Sequence, residues 1–235
     1  SETQRQSWLG QSDLLIKLET GPIKHQLLIG VDAAWQQTHS ARTNGFFDGN
    51  PTAFSGGRKI WVPLARHPVI GAPIFRVDAS ATNVAATAKA LGLYVQDQIS
   101  VGDHVDLIIG LRHDWFRLNL SNKMSSARFS RKDSLWSPRL GLVVKPTKAL
   151  SLYSSWSKSF LPQSGDQFSS LDATSAALKP ESFDNVEAGL KFAPRHGFDL
   201  ALAIYQLDRD NSRAVDPLTA QVVQTGVSRA KGVEL

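Results

Sequence analysis

Four times along this chain, two long runs of alternating apolar and polar residues meet at a short turn, and a longer polar connection follows. The clearest case is 91–115, LGLYVQDQISVGDHVDLIIGLRHDW. Its first arm sets Leu91, Leu93, Val95 and Ile99 on one side and Gly92, Tyr94, Gln96 and Gln98 on the other. After Gly102-Asp103 the second arm sets Val105, Leu107, Ile109, Leu111, His113 and Trp115 against Asp106, Gly110, Arg112 and Asp114. A period of two residues places successive side chains on opposite faces of a sheet, one apolar and one polar. No stretch approaches the roughly 18 consecutive apolar residues of a membrane-spanning helix.

The pattern predicts nine strands, near 7–20, 25–40, 87–101, 104–119, 133–145, 149–160, 184–194, 198–210 and 221–235. The short connections are Gly21-Pro22-Ile23-Lys24, Gly102-Asp103, Pro146-Thr147-Lys148 and Arg195-His196-Gly197, each with a Gly or Pro suited to a tight turn. The long ones fall near 41–86, 120–132, 161–183 and 211–220, so long and short alternate. Hairpin geometry then gathers the long loops at one end of the sheet, whereas a soluble sandwich has loops clustered at both ends. Most runs also reach the roughly 9–11 residues that a tilted strand needs to cross a bilayer.

The facing pattern agrees with an apolar exterior and a wet interior. Val186, Ala188, Leu190 and Phe192 oppose Asn185, Glu187, Gly189 and Lys191, while Phe198, Leu200, Leu202 and Ile204 oppose Asp199, Ala201 and Ala203. Trp35, Trp115 and Trp156 fall toward the long-loop ends, and Phe192 and Phe198 flank a short turn, the two levels of an aromatic girdle. The expected class is therefore all-β, an antiparallel transmembrane β-barrel. An odd number of strands leaves an edge open in lipid, which is untenable. Ser1-Glu2-Thr3-Gln4-Arg5 carries no signal peptide, and Val233-Glu234-Leu235 stops within an alternating run. The expectation is a fragment, truncated at both ends.

Other chemistry finds little support. There is no cysteine in the 235 residues, which excludes thiol nucleophiles, thiolate metal sites and disulfides. The net charge of +5 is scattered, without basic residues interleaved with aromatics on one strand face, so no nucleic-acid partner is expected. Ser155-Trp156-Ser157-Lys158 has the S-x-x-K spacing of penicillin-recognising enzymes but lies on a strand without the companion motifs. His25, His39, His67, His104, His113 and His196 show no metal-ligand spacing, and Gly56-Gly57-Arg58-Lys59 lacks the spacing of a phosphate loop. Neither catalysis nor a covalently bound cofactor is expected.

Only loops and the upper interior of such a barrel can meet a ligand from outside. The stretch 41–86 holds Arg42, Arg58, Lys59, Arg66 and Arg76 against Asp48 and Asp78, with Phe46, Phe47, Phe54 and Trp61. The stretch 120–132 adds Lys123, Arg128, Arg131 and Lys132. Cations beside aromatics suit a chelate with anionic or aromatic groups. The candidate ligand contacts are Phe46, Phe47, Arg58, Trp61, Arg128 and Arg131.

Four segments resemble the TonB-dependent siderophore receptors of Gram-negative outer membranes. Residues 91–115 are similar to their hairpin Gly-hydrophobic-Tyr-x-Gln-Asp-Gln, turn, Gly-x-Arg-x-Asp. Residues 137–165 resemble the next hairpin, opened by Ser-Pro-Arg and closed by Tyr-x-Ser-x-Ser-x-x-Phe. LKPESFDNVEAGLKF (178–192) and QTGVSRAKGVEL (224–235) resemble two later segments, and 1–86 match only as generic barrel. The resemblance implies a 1–235 segment of a barrel of the roughly 22-stranded type, without its plug domain or C-terminal strands. It implies a ferric siderophore, of hydroxamate type, as transported ligand, and the TonB complex as a partner reached through the plug. Outer-membrane lipid and lipopolysaccharide would surround the wall. Asp97, Arg112, Asp114, Glu187 and Lys191 would be architectural lumen charges that pair across strands. Two alternatives share the strand pattern: a passive outer-membrane channel of another barrel family, and a soluble β-rich carbohydrate-binding module.

Overall fold

The computed structural model describes residues 2–48, 50, 52–62, 71–77, 82–163, 178–218 and 222–235. Fifteen strands are present among them: β1 (Glu2–Thr20), β2 (Ile23–Arg42), β3 (Asn44–Phe46), β4 (Ala53–Phe54), β5 (Lys59–Ile60), β6 (Ile74–Arg76), β7 (Thr82–Val101), β8 (Val105–Asn122), β9 (Arg128–Thr147), β10 (Leu150–Leu161), β11 (Glu181–Arg195), β12 (Phe198–Asp210), β13 (Arg213–Val215), β14 (Val222–Gln224) and β15 (Ser228–Glu234). Nine of them form one antiparallel sheet in the order β1-β2-β7-β8-β9-β10-β11-β12-β15, each paired to the next long strand in the chain. The remaining six pair as β3·β6, β4·β5 and β13·β14 within the long connections.

Each short turn is built as its residues dictate. Gly21, Gly102 and Gly197 take positive φ, the conformation a side chain disfavours. At the fourth turn the Thr147 hydroxyl accepts from the Ala149 and Leu150 amides at 3.3 and 3.2 Å.

The structure corrects three expectations. The connection expected over 120–132 is only 123–127. There the Asn122 amide donates to the Ala127 carbonyl at 2.8 Å, and the Asn122 side chain accepts from the Met124 amide at 2.9 Å. The run expected as one strand over 221–235 is interrupted at 225–227, so that β14 pairs with β13 and only β15 joins the sheet. Most strands also extend past the expected limit at their long-loop ends, β7 starting at Thr82 and β8 reaching Asn122.

The long-loop ends of β7 and β8 carry the sheet's buried core. Val84, Ala86 and Ala88 of β7 pack with Phe116, Leu118 and Leu120 of β8, and Leu118 is fully buried. All six lie on the face that carries Gly92, Tyr94 and Arg112 further along the same strands. The opposite face is apolar along the rest of these strands and stays uncovered. Many of its aliphatic residues are more than a third exposed, among them Ile29 at 43%, Leu93 at 45%, Ile109 at 48%, Leu140 at 47% and Val186 at 51%. A continuous bare apolar face of this extent marks contact with lipid rather than water.

The outward aromatics give the level of that contact. Trp8, Trp35, Trp115, Trp136 and Trp156 all lie on the outer face toward the long-loop ends. The row of paired residues through Trp8 and Trp35 reaches β9 at Lys132, whereas Trp156 pairs with Leu140, eight residues along. Eight rises of about 3.3 Å across five strand spacings of about 4.8 Å give a slope near 45°, the tilt of strands in a barrel wall. At the other end the Phe192 and Phe198 rings meet edge to face, 6.5 Å apart. From Val105 to Trp115 the outer face of β8 spans ten residues, which at that tilt is about 24 Å of height, close to the apolar band of an outer-membrane barrel.

Candidate functional site

The inner face opposite that band is a polar wall in which large side chains lie flat. Tyr94 covers Gly30, Arg112 crosses Gly92, Arg139 crosses Gly110, Tyr153 covers Gly189 and Tyr205 covers Gly232. A Cβ at any of these glycines would overlap the side chain beside it, so each glycine exists to let its neighbour lie down. The flattened groups then bond to one another. Arg112 presents one edge of its guanidinium to Asp32, at 2.6 and 3.0 Å, and the other to Asp114, at 2.5 and 2.8 Å. Tyr94 donates its hydroxyl proton to Asp13 and accepts from Gln11 at 3.1 Å. Arg139 donates to Gln96 at 2.9 Å, and Tyr153 to Glu187 at 2.7 Å. A concavity of about 850 Å³ lies along this face, lined by Gln11, Asp32, Tyr94, Arg112, Ser137 and Arg139 among others.

Asp97, expected among the lumen charges, faces outward instead. It shares the face of Leu93 and Val95 and pairs with His25 at 2.8 Å near the short-turn end. The alternation fixes this, because Asp97 has the parity of Leu91, Leu93, Val95 and Ile99. Its second carboxylate oxygen is buried with no partner among the described residues. Among the described residues no three His, Asp or Glu side chains cluster as metal ligands.

At the long-loop end two groups of residues stand apart. One is the small structure between β2 and β7. Phe46 is buried beneath Arg76, whose guanidinium carbon lies 4.0 Å from the ring centre, and Arg58 approaches the same ring at 5.9 Å. Arg76 also pairs with Asp48, and the Phe47 amide donates to the Gly57 carbonyl at 2.8 Å. Phe54 stacks on Trp61 at 5.3 Å, and Trp61 is 72% exposed. Phe46, Phe47, Arg58 and Trp61 are thus brought into one folded loop; Arg66 and Asp78 lie outside the described residues.

The other group was legible only as a motif. Leu178-Lys179-Pro180-Glu181 fastens the chain that enters β11. Arg131 donates to the Leu178 carbonyl at 2.5 Å, Asn211 to the Pro180 carbonyl at 3.2 Å, and Arg209 to the buried Glu181 carboxylate at 2.6 and 2.9 Å. Gln163, 2% exposed, donates to the Asn211 carbonyl at 2.8 Å. Arg131 therefore sits within β9 rather than in a loop. It is 5% exposed and gripped by Asp133 at 2.6 and 2.8 Å. Arg128, the first residue of β9, points to the outer face and does not meet the loop group.

Tilted antiparallel strands, an apolar exterior banded by aromatics and a polar interior define a segment of a transmembrane β-barrel wall. Residues 1–235 match the family model described as TonB dependent receptor-like, beta-barrel. The chain belongs to the TonB-dependent receptors, an outer-membrane receptor and transporter family of Gram-negative bacteria. The metal-pseudopaline receptor CntO of Pseudomonas aeruginosa is 30% identical over 236 residues, covering 96% of this chain and 31% of the relative. The ferrioxamine B receptor of Salmonella typhimurium is 27% identical, covering 93% and 28%. The crystal structure of the siderophore receptor PiuA from Acinetobacter baumannii superposes with a TM-score of 0.79 at 23% identity, covering 98% of this chain and 35% of that one. The chain spans about a third of the length of the relatives it matches.

Proposed function

We propose that these residues form part of the wall of a receptor in the outer membrane of a Gram-negative bacterium. The receptor takes up a ferric siderophore, driven through TonB, and does no covalent chemistry. The remaining strands and a plug domain lie outside residues 1–235. The observation that carries this reading is the wall itself: a tilted tryptophan girdle outside and a self-bonded polar lining inside, in a member of the family. A hydroxamate-type cargo is supported by relatives named as receptors for ferrioxamine B and ferrichrome. Phe46, Phe47, Arg58 and Trp61 are the proposed ligand contacts at the mouth, with the exposed Trp61–Phe54 stack as its aromatic face. Arg128 and Arg131 do not join them, the first pointing outward and the second being held by Asp133.

The test is uptake of radiolabelled iron by cells that lack their own siderophore receptors and carry the full-length gene. Ferrioxamine B and ferrichrome are supplied in strains with and without TonB. Uptake of either chelate that vanishes without TonB supports the reading. Passage of small solutes regardless of TonB would show a passive channel instead.

A further inference from the structure

One stretch of the inner face differs from the self-bonded lining beside it. Short residues meet there on three neighbouring strands: Ser137 and Gly141 on β9, Ser155, Ser157 and Ser159 on β10, and Asn185 on β11. Ser157 pairs with Arg139 on one side and Asn185 on the other, and Ser155 pairs with Gly141 and Glu187. Ser137 pairs with Arg112, so the alternation puts the whole group on the lumen face. Ser159 is exposed, and Ser137, Ser155, Ser157 and Asn185 are partly so. Gly141 differs from the five glycines that lie under a neighbouring ring or guanidinium. The nearest atoms to a Cβ there would be those of Ile108, at 3.5 Å, an ordinary contact distance.

The polar atoms of this patch are open. Neither the four serine hydroxyls nor the Asn185 amide hydrogen-bonds to another described residue, and none of them is buried. The groups that border the patch already have partners. Arg139 donates to Gln96 at 2.9 Å, Tyr153 donates to Glu187 at 2.7 Å, and Arg209 is held between Glu181 and the Phe183 ring. The concavity along the inner face reaches the patch at Ser137, Ser157 and Ser159. From Ser155 to Ser159 the patch runs about 13 Å along β10, toward the long-loop end where that strand stops at Leu161. Uncharged hydroxyls in contact with water can exchange that water for a passing polar solute at little net cost, because one hydrogen bond replaces another. Contacts to charged groups are roughly twice as strong and would hold the solute back.

We propose that this patch on β9, β10 and β11 is the track by which the ferric chelate passes this part of the wall, with Ser157 at its centre. The chelate moves from the mouth past Ser159, Ser157 and Ser155 and exchanges hydrogen bonds with their hydroxyls, while the self-bonded lining of β2, β7 and β8 takes no part. A fixed docking seat would need contacts that hold, and the bordering charges are already engaged with one another. The inference rests on the TonB-driven uptake given under Proposed function.

The experiment uses the full-length receptor in cells and the substitution Ser157→Cys, in a stretch of chain that has no cysteine of its own. Ala230→Cys is the comparison, because Ala230 lies in the same row of paired inner-face residues, reached from Ser157 through Asn185 and Leu207. Thiol reagents of increasing size are attached after assembly, so folding is not at issue, and attachment is confirmed by mass. Binding and uptake of radiolabelled ferrichrome and ferrioxamine B are then measured. With Ser157→Cys the maximal uptake rate should fall stepwise with reagent size, at least tenfold for the largest, while the Kd at the mouth stays within about twofold. Ser159→Cys, a second position on the track, should show the same order, and Ala230→Cys should keep its rate with every reagent. Uptake that ignores reagent size at a labelled Ser157→Cys overturns the proposal, as does equal loss at Ala230→Cys. Entry of small solutes without TonB in the labelled receptor would show that the patch seats a plug domain rather than passing cargo, and overturns it too. Failure of Ser157→Cys to react even during uptake has the same meaning, because a track must open. A wild type that takes up neither chelate would remove the uptake reading and the inference with it, a failure visible before any reagent is added.

Discussion

Tyr94 and Gly30 show how single residues set the inner surface. The ring lies across the glycine, and its hydroxyl reaches Asp13 on β1, so three strands are tied by one side chain. Gly30→Val would put a branched side chain into the ring, an overpacking that typically costs about 1–3 kcal/mol, and would also lift the hydroxyl off Asp13. Tyr94→Phe keeps the packing and loses the hydrogen bond alone, about 1 kcal/mol. The urea midpoint of the folded, slow-migrating species of the full-length receptor should therefore fall more for Gly30→Val than for Tyr94→Phe. Adding Tyr94→Ala to Gly30→Val should recover part of the loss, because the two sites share one volume. A purely additive double variant would disprove the coupling. The sequence showed Gly92 and Tyr94 on the polar face, yet gave no sign that Tyr94 belongs over Gly30, a residue 64 positions away. Pairings of that kind come from register, which periodicity alone does not reveal.

Strand existence was legible because lipid on one side and water on the other impose a period of two. Strand length was not, and β7 and β8 show why. Along β7 the apolar set is even-numbered at Val84, Ala86, Ala88 and Ala90, then odd-numbered at Leu91, Leu93 and Val95. Along β8 it is odd-numbered up to Trp115 and even-numbered at Phe116, Leu118 and Leu120. The strands run straight through both changes of phase. The environment switches instead: past the girdle the exterior becomes water and the interior becomes a packed core. A phase change of this sort resembles a strand end in the sequence, while in the structure it marks the membrane surface. The same parity argument would have placed Asp97 outside, against its motif neighbours. Substitutions should follow the band rather than the strand. Leu111→Arg, at mid-height on the outer face, should cost about 2–4 kcal/mol, and Leu107→Arg, nearer the short turn, less. Ser155→Lys, on the inner face opposite Glu187, should fold as wild type in equilibrium refolding into lipid. Equal losses for the inner and outer substitutions would contradict the assigned faces.

Taken as a whole, the nine-stranded sheet has two free edges, because β1 and β15 pair with one neighbour each and not with one another. Unpaired backbone groups cannot be left in hydrocarbon. Residues 1–235 expressed alone and refolded into detergent should therefore give no band with heat-dependent mobility on a gel, whereas the full-length receptor should. A stable shifted band from the short chain would mean that β1 and β15 can close on each other. The flattened lining has a consequence for any group that meets it. Arg112, Tyr94, Arg139 and Tyr153 already bond to partners within the wall. A polar group set against them must compete with those bonds, so this stretch of wall presents a surface occupied with itself.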